Sequence, residues 1–173
     1  MSQDLVKFHI PSDFILSRAL PTLSEIAYGF AHSWTDEQGV VTLALARYIE
    51  TDTDPVTEDL ALLLSRDHGR VLDILYSIDE WDLDVRKLWL YLSLAWMYEN
   101  RTSFDDVWVT IDMLYADFGN PAEIRGFNYN MRPLPGEAVG HAAMDRRWRK
   151  FLDQEFERYR LRRQNESSRL GLQ

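Results

Sequence analysis

The sequence contains no cysteine. Disulfides, thiolate metal sites and a cysteine nucleophile are thereby excluded, and a reducing compartment is compatible with the composition. Long hydrophobic runs are also missing. The longest, Leu88 to Tyr98, is interrupted by Ser93 and is too short to span a bilayer. The opening residues, Met1-Ser2-Gln3-Asp4-Leu5-Val6-Lys7, lack a basic stretch followed by an apolar one, so no signal peptide is expected and the cytoplasm is the expected compartment.

Motifs that carry chemistry are equally scarce. The four histidines, His9, His32, His68 and His141, never fall four residues apart, so no zinc-binding helix of the HExxH type exists. Asp52-Thr53-Asp54 and the run Asp79 to Asp84 offer carboxylates, but neither has the glycine that a calcium loop needs at its sixth position. Acids at helix N-termini account for both. No GxGxxG, GxxxxGK[ST] or GxSxG occurs, which removes the dinucleotide, P-loop and nucleophile-elbow readings. No metal and no cofactor is expected.

What is present is material for a core. Of 173 residues, 46% are hydrophobic and 13% aromatic, enough for one domain with a sizeable interior. The net charge of −9 is uneven. Residues 1–140 hold 23 acids and 10 bases, whereas residues 141–173 hold 5 acids and 9 bases. An acidic body repels phosphate and argues against nucleic acid as a partner, while it steers toward a basic protein.

The hydrophobic spacing reads almost entirely as helix. Thr22 and Glu25 form a capping box before a helix over 23–33. Further helices are expected over 38–50, over 55–66 behind the Asp54-Pro55 start, and over 70–79. Residues 85–100, with Asp84 as N-cap, are apolar on every face and should form a buried central helix. A helix over 105–117 follows, and an amphipathic basic helix over 141–163 completes the set. Its arginines are expected to pair with the acidic body. Two short alternating stretches, 6–10 and 127–131, leave room for a minor two-stranded ribbon. The expected fold is mainly α: a single-domain orthogonal or antiparallel bundle of about seven or eight helices over residues 1–163, with a frayed tail at 164–173.

One polar group stands out. Glu99 and Asn100 end the apolar helix, Asp117 lies among Tyr115, Ala116 and Phe118, and Arg125 is the nearest cation in sequence. Buried acids beside aromatics need partners, so these four are candidates for a buried polar network or a binding site. No catalytic residue is singled out.

The stretch Leu88-Trp89-Leu90-Tyr91-Leu92-Ser93-Leu94-Ala95-Trp96-Met97-Tyr98-Glu99-Asn100 resembles a family of small uncharacterised bacterial proteins, a domain of unknown function. In that family a Trp-rich helix ends in Tyr-Glu-Asn, and a Tyr-Ala-Asp-Phe motif and Pro-Glu-Glu-Ile follow. Here these are Tyr115-Ala116-Asp117-Phe118 and Pro121-Ala122-Glu123-Ile124, with Ala122 in place of the first glutamate. The likeness covers residues 85–131 and extends more weakly back to Leu23. It brings no established activity. Small acidic bacterial proteins are often encoded beside secreted toxins, so the resemblance implies an immunity protein as one role. The expectation is a non-catalytic intracellular protein-binding module, in its specific form an immunity protein masking a basic toxin. The alternatives are an enzyme using buried Glu99 and Asp117, or a self-associating scaffold. No membrane partner is expected, and the oligomeric state is left open.

Overall fold

The computed structural model describes residues 4–51, 54–78 and 84–170. The chain order is α1 (Ser12–Leu16), α2 (Leu23–Ala31), α3 (Glu37–Glu50), α4 (Pro55–Ala61), α5 (Val71–Leu75), α6 (Val85–Glu99), α7 (Val107–Asp117) and α8 (His141–Leu170). Short 3-10 segments at Ser65–Arg70, Arg101–Ser103 and Ala122–Phe127 join them. The fold is mainly α, as the spacing predicts.

The apolar helix is the centre. Every residue from Leu88 to Ala95 is buried, because α2, α7 and α8 pack around α6. Ser93 in that run returns its hydroxyl to the Trp89 carbonyl at 2.7 Å, so this donor is satisfied within the helix. Trp89 in turn donates its indole N–H to the Glu25 carbonyl of α2 at 2.7 Å. Tyr91 stacks on Tyr159 of α8, ring centroids 5.4 Å apart. On the other side of α2, helix α3 packs against α1, α4 and α5.

Local chemistry fixes the helix ends. The Thr22–Glu25 capping box forms in full, and Asp36 and Asp54 cap α3 and α4 through the amides of Gly39 and Thr57. Helix α7 closes in a Schellman turn, with Asn120 N–H on Tyr115 O at 2.8 Å and Gly119 N–H on Ala116 O at 3.0 Å. Gly119 there has φ 76°, a conformation that glycine adopts without strain.

Several expectations are revised. Asp84 occupies the N-cap position of α6 without capping it, and its carboxylate holds Lys87 at 2.8 Å instead. The acids at 79–83 and residues 52–53 lie outside the described residues. Helices α4 and α5 end earlier than their apolar stripes suggest, at Ala61 and Leu75, and their C-cap residues Leu62 and Tyr76 are exposed. Helix α8 runs through Leu170, past the expected helix end at 163 and into the tail expected over 164–173. Two ion pairs to α3 hold its last turns: Arg163 Nε on Glu50 at 2.7 Å, and Glu166 on Arg47 at 3.1 Å. Residues 171–173 of that tail lie outside the described residues.

No strand occurs among the described residues, so the ribbon between 6–10 and 127–131 does not form. Alternation at Val6, Phe8 and Ile10 has another cause. The segment lies extended with Val6 and Ile10 buried, Phe8 meeting Trp34 edge-on at 5.1 Å, and the Ile10 amide on the Trp34 carbonyl at 2.9 Å. Phe127 ends a 3-10 turn and packs on Trp148 and Phe151.

Candidate functional site

The structure does not gather Glu99, Asn100, Asp117 and Arg125 into one site. Met97 stays buried in the last turn of α6, but the Glu99 side chain is 54% exposed, so it is not a buried carboxylate. It pairs with Arg18, whose guanidinium also lies over the Phe14 ring at 3.6 Å. Asn100 follows the helix and donates from Nδ2 to the Trp96 carbonyl at 2.9 Å, a capping role. Asp117, in the last turn of α7, accepts the amides of Leu5 and Val6 on its two oxygens, both at 2.9 Å. A carboxylate so occupied is a clamp on the extended N-terminal segment. Arg125 is exposed, in the 3-10 turn before Phe127.

Asp117 nonetheless belongs to a polar cluster that sequence reasoning missed. Arg86 of α6 donates from Nη2 to the Asp117 carbonyl at 3.1 Å. Burial pushes the Tyr28 phenol up, and the neighbouring Arg86 opposes the shift. Tyr28 stacks on His32 at 4.0 Å, and His32 Nδ1 meets Asp4 at 2.7 Å. These residues come from four separate parts of the chain, and their spacing carries no local pattern. They join the N-terminal segment to α2, α6 and α7.

The other buried phenols are core groups. Tyr91 and Tyr159 have their pKa values raised above the ordinary tyrosine value, chiefly by burial. Neither ionises in the physiological range, so neither serves as a base. Among the described residues no cluster of three metal-ligating side chains occurs, and no helix is long and apolar enough to cross a membrane.

Two surface features remain that could engage a ligand or partner. The first is the outer side of the α3–α4–α5 layer. Leu45 lies one helical turn before Tyr48 and Ile49 on α3, and all three are exposed. Leu62, Leu64, Leu72 and Tyr76, from the elements packed against α3, are exposed too. The second is a cleft of about 520 Å³ beneath the loop before α8, lined by Arg125, Tyr129, Met131, His141, Met144 and Arg147 among others. Asp112 of α7 anchors the loop by accepting the Tyr129 amide at 3.1 Å and by holding Asn130. Burial pushes the Asp112 carboxyl up, and these hydrogen bonds oppose the shift.

This architecture defines a helical domain built around one enclosed Trp-rich helix. The chain belongs to the family described as an uncharacterized protein conserved in bacteria (DUF2247), which matches residues 12–156. Neither a curated protein nor a solved structure matches the chain.

Proposed function

We propose that the chain is a non-catalytic protein-binding module that takes a basic partner on the outer side of α3, α4 and α5. One observation carries the reading: the stretch of sequence that holds the net charge also carries exposed apolar side chains. Between Glu50 and Asp84 there are eleven acids and two bases, so this stretch holds the whole net charge of −9 and the rest of the chain is balanced. On the same elements Ile49 is 68%, Leu62 60% and Tyr76 79% exposed. Apolar area excluded from water supplies affinity, while a one-signed field steers a partner of opposite sign and rejects acidic ones.

An immunity protein masking a basic toxin is the specific form of this proposal, supported by the acidity of residues 50–84. The cysteine-free composition agrees with the reducing cytoplasm that such a role implies.

A photo-crosslinking residue placed at Tyr76 in the living cell tests the reading. The expected adduct is with a protein of net positive charge. It should be lost when Ile49→Asp and Leu62→Asp are combined, and the purified pair should weaken as salt rises. An adduct with an acidic protein, a salt-insensitive pair, or no adduct overturns the proposal. An adduct with a second copy of the chain overturns it in favour of a scaffold.

A further inference from the structure

We infer that the cleft at the start of α8 is a binding site for a small organic anion, a carboxylate attached to an apolar body. The inference is separate from the protein-binding face and stands on a different set of residues.

The charge of the cleft is the first observation. The protein is strongly acidic, yet no aspartate or glutamate lines this cleft, whereas two arginines and a histidine do. Among the described residues neither Arg125 nor Arg147 has a carboxylate within ion-pair distance. The nearby acids are turned to other tasks. Asp112 accepts the Tyr129 amide, Glu137 accepts the Leu134 amide at 2.8 Å, and Asp145 pairs with Arg101. Two uncompensated guanidinium groups at one concave site favour an anion.

Preorganisation is the second observation. Arg147 donates from Nε to the Gly126 carbonyl and from Nη1 to the Ala138 carbonyl at 2.9 Å. These bonds strap its guanidinium between the 3-10 turn and the loop without neutralising its charge. A cation held by backbone carbonyls keeps its position and its field for a ligand, so little ordering entropy is lost on binding.

The walls set the rest of the ligand. Met131 and Met144 supply flexible apolar surface, and Tyr129 and His141 supply ring faces. His141 stacks on Trp108 with ring centroids 5.5 Å apart, and Tyr129 lies 5.8 Å from His141, which makes one aromatic wall. At about 520 Å³ the cleft falls within the size range of sites for small organic ligands. A bare inorganic anion would leave this apolar wall wet, and an uncharged apolar molecule would leave both arginines without a partner.

Methionine methyl resonances give a direct readout. Met131 and Met144 line the cleft, while Met97 sits in the core and Met113 on the exposed side of α7 as internal controls. The probes are 4-phenylbutyrate, its alcohol 4-phenylbutanol, and inorganic phosphate. Phenylbutyrate should shift the Met131 and Met144 signals saturably and leave Met97 and Met113 in place. The alcohol should bind about tenfold more weakly, as expected for loss of a charge-assisted pair. Arg125 is exposed and makes no side-chain ion pair among the described residues, so Arg125→Gln should fold normally and weaken phenylbutyrate binding several-fold. The inference is overturned if phenylbutyrate produces no saturable shift up to its solubility limit. Equal affinity for the alcohol, equal affinity for inorganic phosphate, or unchanged binding by the Arg125→Gln variant would each overturn it as well.

Discussion

Arg162 and Glu25 stand 137 positions apart in the chain and meet as a two-pronged pair, Nη1 on Oε1 and Nη2 on Oε2, each at 2.8 Å. The Glu25 side chain is only 6% exposed. It already closes the capping box of α2, and its carbonyl receives the Trp89 indole of α6. Arg162 adds a bond to the Leu20 carbonyl at 3.0 Å. One residue therefore ends α2, holds the central tryptophan and docks the C-terminal helix.

Glu25→Gln tests that junction. Glutamine can keep the cap but not the charge, and Arg162 is left largely buried without its counterion. Breaking a buried pair from one side costs about 3 kcal/mol, far more than an exposed pair would. The urea midpoint should fall accordingly. The double variant with Arg162→Met should cost less than the two single changes added together, since neither charge then remains. Additive losses would show that the two groups act separately.

Asp117 gives a second, more local prediction. Its two oxygens hold the amides of Leu5 and Val6, and Val6 is buried behind them. Asp117→Ala removes the acceptor from both amides, the Val6 amide being the part-buried one. Charge-assisted bonds at a partly exposed site suggest a loss of about 2 kcal/mol. Hydrogen exchange at the Leu5 and Val6 amides should accelerate more than exchange in α6. Uniform acceleration across the chain would argue against a local clamp.

These two residues mark how far the sequence is legible. The cap at Thr22 and Glu25, the Asp54-Pro55 start and the enclosed α6 follow from patterns within a few positions, and those patterns hold. The pairing of Glu25 with Arg162 depends on how α8 lies across the bundle, which no local spacing encodes. The length of α8 is hidden for the same reason, because Glu50 and Arg47 of α3 hold its last turns. The four candidate polar residues do not come together, because Glu99 turns to Arg18 and Asp117 turns to the N-terminal segment. The cleft residues were mostly visible as types, but the absence of a counter-charge around Arg125 and Arg147 is a property of the fold alone.

Asp54 makes a prediction about pH. Burial pushes its carboxyl up, but the bonds from the Thr57 amide at 2.9 Å and hydroxyl at 2.7 Å outweigh this and hold its pKa below 3.8. A depressed native pKa means that the unfolded chain takes up the proton first. The contribution of Asp54 is therefore fully present above 3.8 and is lost as the pH falls through the native value. Asp54→Ala should cost about 1 kcal/mol at neutral pH, the usual effect of removing an N-cap. The gap between wild type and variant should stay constant down to mild acid and close below it. The difference between Asp54→Asn, which caps without titrating, and Asp54→Ala should not change with pH.

The last prediction concerns Gly29, where two effects of opposite sign compete. Within helix α2 an alanine would ordinarily be preferred to glycine by about 1 kcal/mol. Here, however, a Cβ would stand 1.9 Å from Cζ2 of Trp89, and the indole is fully buried with its N–H fixed to the Glu25 carbonyl. The ring cannot retreat without breaking that bond and displacing neighbours across α6. Overpacking of this kind costs about 3 kcal/mol, so the steric effect exceeds the propensity gain. Gly29→Ala should lower the thermal midpoint by several degrees, whereas the same change at Gly69, with nothing within 4 Å of its Cβ position, should leave it nearly unchanged. Combining Gly29→Ala with Trp89→Leu should recover part of the loss, because the smaller side chain vacates the space that the new methyl needs. If Gly29→Ala is neutral or stabilising, close approach of α2 to the central tryptophan is not what requires glycine at this position.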